Sequence, residues 1–359
     1  MISFNIDSDI KKSETLPSEF YLENQYFKFC KEFLFPSSWQ LITDIQILDK
    51  NNIYPFSFLE DFIDEPLVLV KSDSSIKCLS NVCTHRAHLI ATEKCNNNKL
   101  RCMYHGRTFN LDGTFNSMPG FKDVENFPTK KDNLKSIPIY NWKNFIMVSL
   151  EKKIEITGVF KDIESRLPNF PFDKLSYDEK NSYTGEIDAH WAMYCENYLE
   201  GFHVPFVHKD LNEILDYNSY ETEIYDHCNL QIGYSNNTDD CFIFPKNHVD
   251  YGKNIAAYYF WIFPNMMFNF YPWGLSINIV KPINLKLTEV EFRSYVFDKT
   301  KLNKGASGDL GKVEKEDEFV VQNVQKGINS SFYKSGRYSA TKEKGVHHFH
   351  HLMSKLLKS

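Results

Sequence analysis

Long apolar runs, blocks of basic residues and dinucleotide-binding motifs are all missing from this sequence of 359 residues. No stretch reaches the roughly eighteen apolar residues that would indicate a membrane-spanning helix, so the sequence predicts none. Lys and Arg form no cluster and the formal net charge is −6, which argues against a nucleic-acid partner bound through its phosphates. No G-x-G-x-x-G motif follows a predicted strand, so the sequence indicates no flavin or nicotinamide site of its own.

A secretory signal is also missing. The first fourteen residues contain no apolar segment followed by a small-residue cleavage site. We therefore expect the eight cysteines to be reduced thiols in the cytoplasm. Six of them are expected to be small buried side chains, namely Cys30, Cys78, Cys95, Cys195, Cys228 and Cys241.

Two short stretches combine cysteine with histidine: Cys83-Thr-His85 and, sixteen residues later, Cys102-Met-Tyr-His105. A structural zinc site usually pairs cysteine with cysteine and histidine with histidine at short spacing. Here each stretch offers one thiolate and one imidazole. That alternation is typical of a Rieske [2Fe–2S] cluster, in which two thiolates hold one iron and two imidazoles hold the other. The sequence predicts such a cluster at these four residues, with a structural zinc site as the alternative.

The pattern of apolar residues predicts three parts of the chain. Residues 1–37 form an N-terminal helical segment, with helical periodicity over 15–35. Residues 38–150 contain short apolar runs separated by turn residues, and Asp112-Gly113 lies between two runs as a hairpin turn. This part is predicted to be a small antiparallel β domain that carries the Cys/His stretches on two loops. Residues 151–359 form a second domain, on which the N-terminal segment packs.

A second group of metal-binding residue types lies near the middle of the chain. Residues 187–204 have helical periodicity, and Glu200 and His203 are neighbours on one helix face. His208 would point elsewhere on a continuous helix, but Pro205 predicts a break that can turn it toward the same metal. Two histidines and a carboxylate form the facial triad of non-haem Fe(II) oxygenases. The alternative is two buried histidines at the end of a core helix.

The last part of the chain mixes strands and helices. Residues 255–282 are rich in aromatic and β-branched side chains and predict at least two strands, with a turn at Pro264-Asn265, and 287–297 predict another strand. Residues 307–327 predict a charged amphipathic helix. The His-rich stretch 347–351 is interpreted as native surface. The predicted fold class is α+β.

With both constellations in this order, the sequence resembles the terminal oxygenase (α) subunits of Rieske non-haem iron oxygenases. CMYHGRTFNLDG is similar to the family's second cluster loop, and ENYLEGFHVPFVH is similar to its iron-binding helix. The resemblance spans nearly the whole chain and is closest to the choline, carnitine and betaine monooxygenase branch. It implies a Rieske domain over 38–150 and a helix-grip (START-like) catalytic iron domain over 151–359, with an antiparallel sheet and long helices.

The resemblance also implies roles for individual residues. His203 and His208 match iron ligands of the family. The third ligand is a carboxylate from a late helix, for which Asp317 is the best match and Glu316 the alternative. Glu200 matches the carboxylate that bridges a cluster histidine of one subunit to an iron-ligand histidine of its neighbour.

Some positions depart from related patterns. Ring-hydroxylating members generally have Asp where this chain has Glu200, which argues against a typical ring-hydroxylating dioxygenase. Ala87 stands where Gly is common. Respiratory Rieske proteins have additional cysteines at the positions of His88 and Tyr104, so the sequence argues against that class, and His88 is expected to be a neighbour of the cluster or a surface residue.

The function that the resemblance implies is the terminal oxygenase of a multicomponent system. Such an enzyme uses O₂ and electrons from NAD(P)H, delivered by a separate flavin/iron–sulfur reductase, and is expected to be a homotrimer. It would hydroxylate or N-demethylate a small quaternary-ammonium or N-methyl substrate. The alternatives are an oxygenase for an aromatic or carboxylated small molecule, and a non-catalytic Rieske electron-transfer protein.

A cationic substrate would be held by aromatic faces. Candidate pocket residues are Asn197, Phe268, Phe270, Tyr271 and Trp273. For the aromatic ones, the alternative is that they are core residues of the predicted strands.

Overall fold

The computed structural model describes residues 4–73, 75–238, 240–302, 304–308 and 310–358. The chain forms two compact units, one of Pro36–Ile154 and one that combines Met1–Phe35 with Glu155–Ser359. None of the helices over the described residues is long and apolar enough to cross a membrane.

The α-helices, in chain order, are α1 (Ser18–Leu22), α2 (Asn24–Phe29), α3 (Phe35–Ser37), α4 (Ile45–Lys50), α5 (Thr157–Arg166), α6 (Trp191–Tyr198), α7 (Val204–Val207), α8 (Lys209–Ile214), α9 (Leu310–Gly327) and α10 (Lys344–Lys358). The strands are β1 (Gln40–Asp44), β2 (Ile53–Phe58), β3 (Glu65–Ser72), β4 (Ser75–Ser80), β5 (Leu100–Arg101), β6 (Thr108–Phe109), β7 (Phe115–Ser117), β8 (Ser136–Ile137), β9 (Ile139–Trp142), β10 (Phe145–Val148), β11 (Ser176–Tyr177), β12 (Tyr183–Ile187), β13 (Glu221–Ile224), β14 (Cys228–Tyr234), β15 (Ile255–Ile262), β16 (Met266–Tyr271), β17 (Gly274–Asn284) and β18 (Leu287–Val296).

The unit 36–154 is built from small antiparallel sheets. Strands β2, β3, β4 and β8 form one sheet, β1, β10 and β9 a second, and β5, β6 and β7 a third. The predicted hairpin turn at Asp112-Gly113 joins β6 to β7, and Gly113 has φ +88°, a conformation that glycine adopts without steric cost. Cys83 and Cys102 belong to the buried apolar core of this unit, so the backbone that presents them is anchored by packing.

The other unit contains one large antiparallel sheet in the order β11-β18-β17-β16-β15-β14-β13, with β12 also pairing with β18. Strands β15 and β16 are joined by a turn over residues 263–265, which confirms the predicted turn at Pro264-Asn265. Helices α6 and α9 contact one another, and α6 also contacts β17. The predicted late helix is confirmed as α9. Antiparallel sheets with helices confirm the α+β class.

Two local predictions need correction. The helix expected over 187–204 ends at Tyr198, and a turn separates it from α7, in whose first turn Pro205 lies without breaking a helical hydrogen bond. The stretch 347–351 was predicted as surface, but it lies within α10, where Phe349 is 0% and His350 1% exposed. Apolar residues three and four positions apart place this stretch on the buried face of an amphipathic helix.

Candidate active site

The two predicted cluster loops have the same backbone architecture. In the first loop, the Cys83 amide donates to the His88 carbonyl (2.9 Å) and the Ala87 amide to the Cys83 carbonyl (3.0 Å). In the second, the Cys102 amide donates to the Arg107 carbonyl (2.8 Å) and the Gly106 amide to the Cys102 carbonyl (3.0 Å). The residue after the Arg or His has positive φ in both loops, +55° at Ala87 and +74° at Gly106. The repeated hydrogen bonds show two copies of one turn.

These loops bring both thiols and both imidazoles together. The ring centroids of His85 and His105 are 4.8 Å apart, while Cys83 and Cys102 are buried and form no disulfide. Burial, with the neighbouring Cys102 sulfur, raises the pKa of the Cys83 thiol. An electropositive group is therefore needed to hold two thiolates side by side, which a cluster would provide.

The donor types favour the cluster over a single zinc ion. A structural zinc site usually takes like pairs of ligands at short spacing, whereas each of these loops offers one thiol and one imidazole. Two thiols and two imidazoles, one of each from each loop, fit a two-iron Rieske cluster.

Arg107 and Asp132 connect the two cluster loops, a pair that the sequence pattern did not indicate. The Arg107 guanidinium, 2% exposed, pairs with the Asp132 carboxylate at 2.6 Å, and the Thr84 hydroxyl donates to the Asp132 carbonyl at 2.8 Å. Burial raises the pKa of Asp132, but hydrogen bonds from Thr129 and Arg107 outweigh it and leave the pKa below its usual value. The position of Arg107 directly after the His105-Gly106 pair is the one available sequence signal.

A second set of donors converges in the larger unit. Helix α6 ends at Tyr198, the following turn carries Glu200 and His203, and α7 ends just before His208. Helix α9 supplies Asp317, whose Oδ1 lies 3.0 Å from His208 Nε2 and 3.5 Å from His203 Nε2. The two Nε2 atoms are 3.2 Å apart. We call His203, His208 and Asp317 the triad.

Carboxylates hold the outer nitrogen of both triad imidazoles. Glu200 Oε1 lies 2.7 Å from His203 Nδ1, and Glu316 Oε2 lies 2.8 Å from His208 Nδ1. Both histidines thus point Nε2 toward Asp317, the arrangement expected when a second partner orients a metal-ligating imidazole. Burial lowers the pKa of His208, but Asp317 and Glu316 outweigh it and raise the pKa above its usual value. Two imidazole nitrogens and one carboxylate fit a mononuclear iron.

This geometry distinguishes Asp317 from Glu316, which the sequence could not do. Asp317 faces the inner nitrogens of both histidines, whereas Glu316 faces only the outer nitrogen of His208. Asn197 also contributes, because its amide donates to Asp317 Oδ1 at 2.6 Å. Two isolated core histidines would have no reason to share one carboxylate oxygen.

A cavity of about 730 Å³, partly open to solvent, adjoins the triad. Five tyrosines line it: Tyr194, Tyr198, Tyr220, Tyr259 and Tyr271. Burial raises the pKa of all five, so their hydroxyls are neutral. Four amides complete the polar wall: Asn197, Gln231, Asn269 and Asn278.

Some of the predicted pocket residues line the cavity, and the others lie in the core or in a neighbouring depression. Asn197 and Tyr271 line the cavity. Phe268 and Phe270 do not, because strand residues alternate between faces, and theirs packs against Phe160 and Phe170. Trp273 stacks on Tyr271, with centroids 5.2 Å apart, and lines a smaller neighbouring depression instead. The interpretation as core residues therefore describes the two phenylalanines.

Glu314 lines the cavity and was not identified from the sequence. Its carboxylate accepts hydrogen bonds from the Tyr194 hydroxyl and, at 3.3 Å, from the Asn278 amide. Burial, and then the neighbouring Asp317, raises the pKa of Glu314 to about 8. The available signal was its spacing: Glu314 lies three residues before Asp317 on α9 and so shares its face.

Gly201 is required by close packing in the turn between Glu200 and His203. A Cβ atom at this position would lie 2.8 Å from the ring of Tyr220, which lines the cavity. The turn and the cavity wall are therefore in direct contact. A larger residue at 201 would displace either Tyr220 or the turn that carries His203.

The chain resembles known proteins in both sequence and fold. Residues 172–359 match the family described as the ring hydroxylating alpha subunit (catalytic domain), and residues 38–128 match the Rieske [2Fe-2S] domain. The chain is 27% identical to the chloroplastic choline monooxygenase of Beta vulgaris, over 96% of this chain and 78% of that protein. It is 25% identical to the carnitine monooxygenase oxygenase subunit of Escherichia coli (strain K12), over 99% and 96% of the two chains.

The fold is similar to the quaternary ammonium Rieske monooxygenase CntA in complex with L-carnitine, with a TM-score of 0.79, 21% identity and 99% of each chain covered. It is also similar to naphthalene 1,2-dioxygenase from Rhodococcus sp. bound to indole, with a TM-score of 0.72, 16% identity and 96% and 95% of the two chains covered. These likenesses concern the fold alone.

This chain belongs to the ring-hydroxylating oxygenase alpha-subunit family, and its compact unit of residues 36–154 carries a Rieske domain. The predicted family, the fold with its Rieske and catalytic domains, and the enzyme class, a Rieske-type non-haem iron monooxygenase, are confirmed. Its cofactors are a Rieske [2Fe–2S] cluster and a mononuclear iron. The donor sets described above fit both.

Proposed function

We propose that this chain is the terminal oxygenase of a multicomponent system that hydroxylates or N-demethylates a small quaternary-ammonium or N-methyl compound. The observation that carries the proposal is the cavity of neutral tyrosines and carboxyl groups beside the triad. Aromatic faces and acids bind ammonium groups well. Relatives over nearly the whole chain are named choline monooxygenase and carnitine monooxygenase oxygenase subunit, which supports the same substrate class.

Within this proposal, Cys83, His85, Cys102 and His105 hold the cluster, and the triad holds the iron. When bound, the cluster supplies single electrons and the iron supplies the activation of dioxygen. In a hydroxylation, the substrate C–H bond, O₂, two electrons and two protons give C–OH and water. The chain itself orients the imidazoles through Glu200 and Glu316 and positions Asp317 through Asn197.

We further propose that Glu200 bridges to a cluster histidine of a neighbouring subunit in a homotrimer. Its Oε1 lies 2.7 Å from His203 Nδ1, and its Oε2 accepts hydrogen bonds from the backbone amides of Phe202 and His203. Glu200 is thus a positioning residue that shares its carboxylate between the turn and the imidazole. A shared carboxylate of this kind would give a short path for an electron between the two sites.

The remaining components of the proposal are the electron donor, the location and the domain limits. Electrons from NAD(P)H would arrive through a separate flavin/iron–sulfur reductase. A cytoplasmic location is supported by the eight cysteines, all of which lie in the described residues and none of which forms a disulfide. We propose domain limits of 1–37, 38–150 and 151–359, where the compact units divide near residues 36 and 154.

Product analysis with a substrate panel tests the proposal. The purified protein, with both metals, a reductase and NADH, is given choline, carnitine, glycine betaine or an aromatic acid, and the product and oxygen consumption are measured. We expect oxidation of at least one quaternary-ammonium compound and none of the aromatic acid. His203→Ala is the control, because it should lose the mononuclear iron and all product while retaining the cluster. Oxidation of the aromatic acid alone, or no oxidation of any compound, would reject the proposed substrate class.

A further inference from the structure

Apart from two histidines, the charged side chains in the described cavity wall are all acidic. Among the described residues that line it, the ionisable side chains other than tyrosine are Glu200, Glu314, Asp317, His203 and His208. No Lys or Arg is in that described set. Basic residues lie in two neighbouring depressions. One contains Lys301 and Lys304 and shares Tyr271 and Ala306 with the cavity. The other contains Lys312 and Lys315 and shares Glu314 with the cavity.

Four of these five side chains, all except Glu314, have partners that the metal site explains. Asp317 faces both histidines, and Glu200 holds the outer nitrogen of His203. Glu314 is different, since its hydrogen bonds come from the neutral groups Tyr194 and Asn278. A buried carboxyl group with only neutral partners lacks the cation that would stabilise its ionised form.

The rest of the wall is neutral and suited to a hydroxyl group. The Tyr198 hydroxyl donates to Asn269 at 2.7 Å, and the Tyr220 hydroxyl donates to Gln231 at 3.1 Å. Such groups can donate to or accept from an alcohol. A substrate carboxylate in the same space would face Glu314 and Asp317, with no Lys or Arg from the described wall to pair with it.

We propose that Glu314, ionised when it pairs with the substrate cation, anchors the ammonium group of the substrate, and that the cavity selects quaternary ammonium compounds that carry a hydroxyl and no carboxylate. This inference rests on the proposed function and narrows its substrate class. In this arrangement the Glu314 carboxylate contacts the substrate. It also accepts a hydrogen bond from the Tyr194 hydroxyl, and the ring of Tyr194 forms the adjoining part of the cavity wall.

Equilibrium binding to the protein with both metals in place tests the anchor without turnover. The ligands are choline and its neutral isostere 3,3-dimethylbutan-1-ol, which has the same shape without the charge. In the unaltered protein we expect choline to bind at least about tenfold more tightly, the size of effect of one desolvated charge contact. In Glu314→Gln that ratio should fall to about one, since the amide keeps the size and loses the charge.

Glu318→Gln is the matched control, because Glu318 lies one turn further along α9 and lines an outer depression rather than the cavity. The Glu318→Gln protein should keep the full ratio of choline affinity to 3,3-dimethylbutan-1-ol affinity. Glu314→Asp, which moves the charge back by one methylene, provides a second variant should the glutamine protein fail to fold, and an intermediate ratio is expected. An unchanged ratio in both Glu314 variants would overturn the anchor.

The substrate panel separates this inference from the proposed function. Preferred binding and oxidation of choline over glycine betaine and carnitine supports both. Preference for glycine betaine or carnitine, particularly if Lys304→Ala abolishes it, leaves the proposed function intact and overturns the inference. If no quaternary-ammonium compound is bound or oxidised, the proposed function itself fails.

Discussion

In the proposed cluster site, each loop closes on itself within six residues, whereas in the proposed iron site His208 and Asp317 meet across 109 residues of chain. The cluster loops owe their shape to local backbone hydrogen bonds and to one left-handed residue each. The triad depends on the packing of α9 against α6 and on the turn after Tyr198. A local motif and a tertiary site thus serve two metal centres in one chain.

The difference extends to the surroundings. Met103 and Tyr104 in the second cluster loop are 77% and 50% exposed, while His208 is 2% exposed and adjoins a cavity that is only partly open to solvent. An exposed rim suits exchange of electrons with another protein. A triad that is largely shielded, with His203 and Asp317 side chains 16% and 14% exposed, suits a reaction from which most bulk water is excluded. Each site therefore has the accessibility that its proposed role requires.

The sharpest test of the tertiary site compares Asp317→Ala with Glu316→Gln. We expect Asp317→Ala to lose the mononuclear iron and all product formation, because it removes the oxygen shared by both histidines. Glu316→Gln should keep the iron with affinity or activity lower by about 10- to 100-fold, since it alters only the partner of the outer His208 nitrogen. Metal analysis and the cluster EPR signal are measured for both.

The cluster signal is the internal control, because both substitutions lie in the other compact unit. Retention of iron in Asp317→Ala together with its loss in Glu316→Gln would reverse the assignment. Loss of the cluster signal in either variant would contradict the independence of the two sites.

The contrast explains what the sequence could predict. Cys83, His85, Cys102 and His105 lie in two local turns, so their residue types and spacing were enough to predict a cluster there. Neighbouring residues on a helix point about 100° apart, so the register of Glu316 and Asp317 depended on how α9 packs. Glu314 was missed for the same reason.

Strands show a similar limit. Phe268 and Phe270 share one face of β16 and Tyr271 lies on the other, as strand alternation requires, but alternation gives no indication of which face meets the cavity. The prediction that residues 347–351 lie on the surface failed for a different reason. The histidines of this stretch suggested surface, whereas burial of His350 is possible because its ring nitrogens bond to Tyr338 and Glu196.

A smaller effect is expected at Glu200, which is proposed to connect the two kinds of site. Glu200→Gln should leave both metals bound, because it lies outside the triad, but it should lower product formation by about 100-fold, as loss of an outer partner of a metal ligand does. Stopped-flow absorbance of the cluster during single turnover measures its oxidation directly. Slow oxidation with unchanged substrate binding is the expected signature, and normal turnover would reject the bridge.

The smallest effects test whether the two cluster loops are equivalent turns. Ala87 adopts φ +55°, which costs an alanine about 1–2 kcal/mol, whereas Gly106 adopts φ +74° without that cost. Ala87→Gly should therefore stabilise the protein by up to about 1 kcal/mol, after the greater chain entropy of glycine in the unfolded state is subtracted.

Gly106→Ala should destabilise it by about 1–2 kcal/mol through backbone conformation alone, since a Cβ atom there would meet Pro119 at an ordinary 3.5 Å. The midpoint of thermal unfolding, followed by cluster absorbance, measures both changes. Gly120→Ala is the control, because Gly120 also has φ +74° and no atom lies within 4 Å of the added carbon. It lies outside the cluster loops, and it should destabilise the protein by the same amount as Gly106→Ala if backbone conformation is the cause. Opposite shifts at 87 and 106 would establish the loops as one turn used twice. Destabilisation by both substitutions would mean that the first loop uses the alanine methyl group, and the likeness of the two turns would then be limited to their hydrogen bonds.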